Sequence, residues 1–589
     1  MDHVKLSPSL AATYETFRES GRPALRALTG DIGIVSAAPS TRPPRVVVFL
    51  HAREGASLAH LSELGVEVNR GEGILTGIVP LEALDALSED PAVARVVAAE
   101  RVELLMEVAS GKVGLPALRQ STGLSGRGVV VGIVDTGIDV AHPSFAGRLR
   151  QIWDQTLPGQ GVAEGAYGVE LSGAMMRTSR DVVGHGTHVA GIAAGADPTF
   201  GGVAPEADLV IVKTDLLTAH LADAIRYIFR VAADRGLPAV VNLSLGGHSD
   251  AHDGTDSLSA VLDAESGPGR IVCCAAGNEG DDNIHARVRV RAGGYRSIAC
   301  QFPVPGPGTA NAPALFNGWY GGDDQIEVAV VSPDGTRTPY QPVLSSGSPV
   351  RAYELPGGAV TIVTPGPDPA NGDHNFLALV RPSAPDQGPG PPAGPGAWRI
   401  RLRGVQISSG RVDVWSVDKR SAQFSGPATD DAVKVGAPAA AGRAVSVAAY
   451  TTRVDWEDMF GTPRHAGLDL DDIADFSSEG PRRDGERKPD LAAPGAMIVS
   501  AASAHAPGRP ENLVDALHTV NAGTSMAAPF VTGLVALLLE RDPQLGPEEV
   551  KALLRDHSAI PDQPSGTFDP KWGYGLVDAS ALAGGDGAL

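Results

Sequence analysis

Short apolar runs and amphipathic segments alternate along residues 45–106 in the order strand, helix, strand, strand, helix, strand. This order is typical of a ferredoxin-like α+β domain, in which two helices cover one face of a four-stranded antiparallel sheet. Residues 1–44, which precede it, contain one helical pattern at residues 10–19 and a proline-rich connector. We therefore expect a partly ordered N-terminal extension followed by a small α+β domain.

A longer alternation of strand and helix patterns occupies residues 107–282. Residues 128–135 form an apolar run that ends on Asp135, as expected for a strand buried on both faces. The alternation predicts an α/β domain with a doubly wound, mostly parallel sheet and helices on both faces. Functional side chains in such folds lie at the carboxyl ends of the strands, which is where Asp135 is predicted to lie.

The helical patterns stop at residues 283–421, which are rich in glycine and proline and in short alternating runs such as QIEVAVV and RIRLRG. Many short strands separated by turn residues predict an inserted all-β sandwich. The α/β pattern returns at residues 422–589. One α/β domain is therefore predicted to continue on both sides of the insertion.

A helix that is apolar on every side is predicted within residues 521–540, NAGTSMAAPFVTGLVALLLE, and such a helix is buried. Thr524 is its predicted N-cap, and Pro529 is expected within about the first turn, where a missing N–H costs least. Ser525 then lies among unpaired backbone N–H groups at the positive end of the helix dipole, which stabilise a developing oxyanion. The sequence predicts a nucleophile here; the alternative is a helix cap above core packing.

Composition and charge exclude some classes of function. The chain has 589 residues and a net charge of −21, which disfavours nucleic-acid binding because phosphate recognition uses basic patches. It lacks a run of about 18 apolar residues, so we predict no membrane partner. The first 20 residues contain no apolar signal-peptide core. We expect a cytoplasmic protein, with export by an unconventional route as the alternative.

The three cysteines are too few for a disulfide framework in a chain of this length. Cys273 and Cys274 lie in the apolar run RIVCCAAGN and are predicted to be small buried core residues. A thiol nucleophile or a redox pair is the alternative interpretation. Cys300 has no recognisable motif around it.

Four stretches each surround one functional side chain with small residues: DTGID from Asp135, GHGTHVAG around His185, AAGNEG around Asn278 and GTSMAAP around Ser525. A serine nucleophile needs a base, a carboxylate that orients the base, and donors for the oxyanion. Taken singly, Asp135 could cap a strand end, His185 could be a satisfied histidine at a helix start, and Asn278 could be a turn residue. Together they supply every group that acyl transfer requires.

These stretches, in this order, resemble the signatures of the subtilisin-like serine proteases, the subtilase family. The resemblance covers roughly residues 115–280 and 425–585. It implies that Ser525 is the nucleophile, His185 the general base and Asp135 the carboxylate that holds the imidazole. It also implies that Asn278 donates its side-chain amide to the oxyanion beside the Ser525 backbone N–H.

The resemblance extends to substrate binding and to the flanking domains. Ser244, Leu245, Gly246 and Gly247 resemble the family's substrate strand, which pairs with an extended protein or peptide substrate by β-augmentation. Residues 45–106 resemble the inhibitory pro-domain, which implies an intramolecular inhibitor and self-cleavage near residues 106–110. The insertion at 283–421 resembles the jelly-roll insert of the clostridial germination proteases.

We predict no metal site and no required cofactor. His188 lies three residues after His185, but no third ligand follows at a suitable spacing, so a structural role is predicted. Ser144 occupies the position where many subtilases have a calcium-binding aspartate, so that calcium site is not predicted. Further calcium ligands could come only from acidic pairs such as Asp281 with Asp282 and Asp471 with Asp472, which are more typical of a solvated surface.

The predicted function is therefore that of a serine endopeptidase synthesised with its own inhibitor. Two alternatives remain at this stage. The first is a pseudoprotease, or docking platform, that retains the pro-domain. The second is an esterase or transpeptidase that uses the same three catalytic residues.

Overall fold

The structure is a computed structural model that describes residues 2–20, 34–35, 44–53, 55–69, 73–99, 103–104, 111–303, 312–343, 348–382 and 397–584. Contacts within the chain divide it into two compact units. The first unit comprises Met1–Arg101, His248–Ala251 and Asp282–Ala432. The second comprises Val102–Gly247, His252–Asp281 and Val433–Leu589.

The described helices are numbered here in chain order. They are α1 (Pro8–Ser20), α2 (Leu84–Glu89), α3 (Leu115–Thr122), α4 (His185–Ala194), α5 (Thr218–Asp234), α6 (Ser257–Glu265), α7 (Thr524–Arg541) and α8 (Pro547–Asp556). Short 3₁₀ helices lie at His3–Lys5, Ala59–Leu64, Leu81–Ala83, Gly111–Val113, Pro143–Phe145, Gly173–Thr178, Pro510–Asn512 and Ser580–Gly584. Within the described residues no helix is both long and apolar enough to cross a membrane.

The second unit is built on a ten-stranded, mostly parallel sheet, which confirms the predicted α/β class. In spatial order its described strands are Ser558–Ala559, Leu576–Val577, Leu491–Ala496, Val445–Thr451, Arg270–Ala275, Ala239–Leu243, Val130–Asp135, Asp208–Lys213, Leu149–Asp154 and Val169–Leu171. Val130–Asp135 pairs in parallel with Asp208–Lys213 and with Ala239–Leu243, and all six of its residues are buried. The strand that ends on Asp135 is therefore central to the sheet. The same unit contains the two-stranded pairs Asp455–Glu457 with Pro463–His465, and Ile498–Ala501 with His518–Asn521.

Helix α7 is the predicted buried helix, but its first turn differs from the prediction. Gly523 occupies the N-cap position, and Thr524 is the first helical residue. The Thr524 hydroxyl bonds instead with the segment at residues 277–278, which explains why it does not cap its own helix. Pro529 lies inside the helix, beyond the first turn, so its missing N–H leaves the Ser525 carbonyl without a helical donor.

The structure confirms that Cys273 and Cys274 are buried core residues, and it shows that Cys300, for which no environment was predicted, is buried as well. Cys273, Cys274 and Cys300 are free thiols with 0% of their surface exposed. Burial raises the pKa of Cys273 to about 12, so its thiol stays protonated and unreactive near neutral pH.

In the first unit, residues 34–98 form a five-stranded antiparallel sheet among the described residues. Its strands are Ile34–Val35, Arg45–Ala52, Glu67–Val68, Ile74–Pro80 and Val93–Ala98. Arg45–Ala52 pairs with Ile74–Pro80 on one side and with Val93–Ala98 on the other, and Ile74–Pro80 pairs with Glu67–Val68. The segment predicted as the first helix is the 3₁₀ helix Ala59–Leu64, which ends on Gly65 in the left-handed conformation (φ 73°).

The rest of the first unit contains two antiparallel sheets that share one apolar core. The larger has the order His285–Arg289, Arg411–Ser416, Ala314–Tyr320, His374–Pro382, Gly358–Val363 and Val350–Leu355. The smaller has the order Gln325–Val331, Trp398–Gln406, Tyr295–Gln301 and Gln423–Ser425. Phe316 and Phe376 from the larger sheet and Trp398 from the smaller are buried between them.

Helix α1, which includes the helical pattern predicted at residues 10–19, joins the two parts of the first unit. Leu10 is buried in the core of the five-stranded sheet. Ala12 packs with Val363 and Leu377 on the larger sheet of the sandwich. Helix α1 therefore contacts two apolar cores of the first unit, through long-range contacts that its local sequence pattern did not predict.

Candidate active site

Asp135 and His185 form the best-defined contact of the site. His185 is the first residue of α4, and its Nδ1 lies 2.7 Å from Asp135 Oδ1 at the carboxyl end of the central strand. A carboxylate only accepts hydrogen bonds, so Nδ1 is the donor and a neutral ring has its lone pair on Nε2. Asp135 is 0% exposed and His185 is 1% exposed. This arrangement is that of a general base held by a buried carboxylate.

The glycine after His185 allows the helix to approach the strand. A Cβ at Gly186 would lie 2.2 Å from the Gly137 carbonyl oxygen and 3.1 Å from Asp135 Cβ. The first of these distances is far below van der Waals contact, so a larger residue would push α4 away from the strand. The glycine at position 186 is thus explained by the short distance between His185 and Asp135.

Ser525 is the second residue of α7 and is hydrogen-bonded to Ser244, in the segment at residues 244–247 that is called here the proposed substrate strand. Its Oγ donates to the Ser244 carbonyl at 2.9 Å, and Ser244 Oγ donates to the Ser525 carbonyl at 2.6 Å. The second bond uses the carbonyl that Pro529 leaves without a helical donor. Asn242 Nδ2 donates to Ser244 Oγ at 2.8 Å and orients that hydroxyl.

Helix packing brings the two halves of the site together. Helices α4 and α7 pack on each other, and both contact the strand Val130–Asp135. The helices that carry His185 and Ser525 therefore pack together against the strand that ends on Asp135. Ser525 is 0% exposed in the full chain, and its hydroxyl is directed at Ser244. Attack on a substrate would require this hydroxyl to turn towards the imidazole.

Asn278 is anchored to the residue that precedes Ser525. Its Oδ1 accepts from the Thr524 backbone N–H at 2.9 Å and from Thr524 Oγ1 at 3.0 Å. The backbone N–H of Asn278 donates to Glu279 Oε2 at 2.8 Å. Oδ1 of the amide is used in this way, and Nδ2 is the end of an amide that can donate a hydrogen bond, which is what an oxyanion next to Ser525 would accept.

The proposed substrate strand forms a two-stranded pair with another segment of the same unit. Leu245–Gly246 is antiparallel to Glu103–Leu104, with Leu245 opposite Leu104 and Gly246 opposite Glu103. Gly247 N–H donates to the Ala437 carbonyl at 3.1 Å on the opposite flank. The edge that was predicted to bind an extended peptide therefore accepts an extended segment of this chain.

The structure also places a residue at the site that sequence reasoning missed. Asp181 is 0% exposed, and its carboxylate accepts from Thr136 Oγ1 at 2.9 Å and from the Gly184 N–H at 2.8 Å. It also accepts from the backbone N–H and the hydroxyl of Thr187, at 2.9 and 2.7 Å. The available signal was an aspartate four residues before His185, in DVVGHGTH.

His188 has the environment of a structural residue. It is 0% exposed, and its Nε2 lies 3.2 Å from the Thr519 carbonyl. Burial lowers its pKa well below the ordinary value, so the ring is neutral. Among the described residues, no group of three or more His, Cys, Asp or Glu side chains is arranged to hold a metal ion. Two of the acidic residues considered as calcium ligands, Asp282 and Asp471, form ion pairs with Lys419 and Lys112.

Comparison with known proteins gives one family match and several relatives. The sequence model of the Subtilase family matches residues 126–379 and 392–575, well over half of the chain. Serine protease AprX of Bacillus subtilis (strain 168) is 40% identical over 100 residues, which cover 15% of this chain and 21% of that protein. The major intracellular serine protease of the same strain is 34% identical over 167 residues, covering 27% of this chain and 46% of the relative. The matched part thus spans less than half the length of each of these curated relatives.

Among solved structures, the CspB protease of Clostridium perfringens has the same fold over most of the chain. It matches with a TM-score of 0.65 and 24% identity, covering 81% of this chain and 98% of that one. At this level of identity the likeness concerns the fold alone.

Proposed function

This chain belongs to the subtilase family, and from that premise we propose that it is a serine endopeptidase with Ser525 as nucleophile, His185 as general base and Asp135 as the orienting carboxylate. The observation that carries the proposal is the hydrogen bond of 2.7 Å between His185 and Asp135, which are 50 positions apart in sequence. In the proposed reaction, a proton held on Nδ1 by Asp135 makes Nε2 the nitrogen that accepts the proton of the serine.

The proposed reaction follows from these positions. Ser525 Oγ attacks the scissile carbonyl carbon while its proton passes to His185 Nε2, and Asp135 stabilises the imidazolium. The oxyanion of the tetrahedral intermediate accepts from Asn278 Nδ2 and from the Ser525 N–H. When the intermediate collapses, Nε2 returns the proton to the leaving amine and the acyl group stays on Ser525. Water then attacks the acyl-enzyme by the same steps and releases the acid.

We propose that the substrate is a protein or peptide that lies extended along Ser244–Gly247. The pairing of Leu245–Gly246 with Glu103–Leu104 supports this proposal, because backbone groups of the edge strand already bind an extended segment. None of these steps uses a metal ion or an organic cofactor. We therefore expect peptidase activity to persist after incubation with EDTA.

The oxyanion role of Asn278 can be separated from its anchoring role. Asn278→Asp keeps oxygens that can accept from Thr524 but removes the amide donor, whereas Asn278→Ala removes both. Loss of one oxyanion donor costs about 10²–10³ in kcat, so we expect at least that loss in both variants with little change in KM. Steady-state kinetics on a peptide anilide measures it. Wild-type kcat in Asn278→Asp would contradict the donor role.

Residues 45–106 are proposed to inhibit the enzyme until the chain cleaves itself near residues 106–110, a window that lies outside the described residues. The pairing of Leu104 with Leu245 supports the inhibitory role, because Leu104 belongs to residues 45–106 and Leu245 belongs to the proposed substrate strand. The antiparallel register brings Leu104 opposite Leu245, the neighbour of Ser244, whose carbonyl is bonded to Ser525.

Self-cleavage predicts a defined fragment pattern. Purified wild-type protein is expected to contain a mature chain that begins within residues 106–110, because Leu104, shortly before that window, is paired with the neighbour of Ser244, which is bonded to Ser525. Intact mass and N-terminal sequencing measure the new terminus. A mature chain that begins far from this window would contradict the proposed register, even if the protein is an active peptidase.

A docking platform that retains its pro-domain is the second candidate, and one observation favours it. Ser525 is fully buried in the full chain, and its hydroxyl bonds to Ser244. A fluorophosphonate that labels active serine hydrolases distinguishes the two functions. Labelling that increases once the pro-domain is removed supports the peptidase, whereas complete lack of labelling of the freed unit supports the platform.

A further inference from the structure

The carboxylate of Asp181 is the centre of a buried hydrogen-bond network next to the proposed active site. Its Oδ1 accepts from Thr136 Oγ1, from Val183 N–H and from Gly184 N–H at 2.9, 3.2 and 2.8 Å. Its Oδ2 accepts from the N–H and the hydroxyl of Thr187 at 2.9 and 2.7 Å. Four donors from the loop and first turn around His185, together with the hydroxyl of Thr136, thus converge on one fully buried carboxylate.

Thr136 connects this network to Asp135. The Thr136 N–H donates at 2.7 Å to Asp135 Oδ1, the same oxygen that accepts from His185 Nδ1. Its hydroxyl donates to Asp181 and accepts from Gly186 N–H at 2.9 Å. One residue therefore touches the triad carboxylate, the Asp181 carboxylate and the start of the helix that carries the imidazole.

This arrangement matters because Asp135 and His185 are carried by different elements. Asp135 ends a β-strand, whereas His185 begins α4 after a loop, so their separation depends on how that loop is held. Asp181 bonds to both ends of the connection, on Thr136 after the strand and on Gly184 and Thr187 around the histidine. A charged acceptor makes stronger hydrogen bonds than a neutral one, which favours a carboxylate at this position.

We propose that Asp181 is a positioning residue of the reaction: acting through Thr136, it holds Asp135 and the imidazole of His185 in the geometry required for proton transfer. The inference rests on the proposed peptidase function and deepens it. Asp181 does not touch the substrate, so its loss affects the chemical step more than substrate binding.

Two variants test this role with different charge changes. Asp181→Asn keeps the shape of the side chain but turns one acceptor end into a donor that faces other donors. Thr136→Val keeps the charge of the protein and removes only the hydroxyl that links Asp181 with Gly186. We expect kcat per labelled active site to fall about 10- to 100-fold in both, with KM within about twofold, because a small misplacement of reacting groups costs up to that much.

The pH profile provides a readout that a merely structural role would not change. A loosened Asp135–His185 pair stabilises the imidazolium less, so the acid limb of kcat/KM is expected to move to lower pH in both variants. His188 on the same helix is neutral and adds no charge to this titration. Thr136→Ser restores the hydroxyl and is expected to recover most of the lost kcat.

Asp234→Asn is the matched control, because Asp234 is an exposed carboxylate at the end of α5 that pairs with Arg230. All rates are divided by the concentration of sites that react with a fluorophosphonate, so partly unfolded protein does not count. One contrary result would be that the acid limb moves only in Asp181→Asn, that kcat is unchanged in that variant and that Thr136→Val behaves as wild type. That result would mean that Asp181 acts only through its charge, and it would overturn the proposal. Wild-type kcat and pH profile in both variants would overturn it as well. Absence of labelling and activity in the wild type after pro-domain removal would instead refute the proposed peptidase function.

Discussion

Replacing Ser525 by alanine is expected to reduce kcat for peptide hydrolysis by about 10⁶-fold, because the acyl-enzyme can no longer form. The variant should also accumulate as the full-length chain if self-cleavage uses the same serine. Kinetics on a peptide anilide and intact mass of wild type and variant, purified side by side, measure both effects. The expected loss is large because the remaining groups have no nucleophile to activate.

Ser121→Ala is the control for this experiment. Ser121 is exposed on α3 and bonds only to carbonyls of its own helix, at Ala117 and Leu118. It should leave both kcat and self-cleavage as in wild type. Fluorophosphonate labelling that persists in Ser525→Ala would identify a different nucleophile and contradict the proposed site.

Replacing Asp135 by asparagine is expected to reduce kcat by about 10⁴-fold with little change in KM. Asparagine has nearly the same volume, so the strand end should keep its packing, but the negative charge that stabilises the imidazolium is lost. If the amide N–H₂ faces His185 Nδ1, the ring proton is driven to Nε2 and the base is lost. Steady-state kinetics together with the rate of fluorophosphonate labelling measures the effect, since labelling depends on the same base.

Asp154→Asn separates chemistry from folding in that experiment. Asp154 is also a buried aspartate at the carboxyl end of a strand of the same sheet, where it accepts from Thr156 and Ser179. If both variants lose stability but only Asp135→Asn loses kcat per labelled site, the triad assignment stands. Equal losses in the two variants would show that the effect of Asp135→Asn is one of folding.

The central strand and the buried helix of the α/β domain could be predicted from the local pattern of apolar residues. Residues 128–135 are apolar on both faces, and such a run has few stable environments other than the centre of a covered sheet. The same holds for α7, whose buried residues extend from Thr524 to Leu539. Asp135 and Ser525 could be proposed as functional residues because they interrupt these apolar or small-residue stretches.

Other local features were predicted less well, because neighbours distant in sequence decide them. The helix pattern at residues 59–64 forms only a 3₁₀ turn, and the N-cap of α7 is Gly523 instead of Thr524. The Thr524 hydroxyl bonds with Gly277 and Asn278, residues about 250 positions away, and no local rule includes such partners.

The sequence by itself determined the fold class of the α/β domain and the burial of Cys273 and Cys274, and it supplied the candidate residues for serine-peptidase chemistry, since side-chain type and spacing are local properties. Only the tertiary structure decided which buried donor meets which acceptor. It brought His185 within hydrogen-bond distance of Asp135 and made Asp181 the acceptor of five hydrogen bonds. It also supplied the Ser244 hydroxyl as a donor to the Ser525 carbonyl, which has no helical donor because Pro529 lacks an N–H. The physical reason is that a buried polar group must find a partner, and the partner is supplied by whichever distant segment the packing of helices and strands brings within about 3 Å.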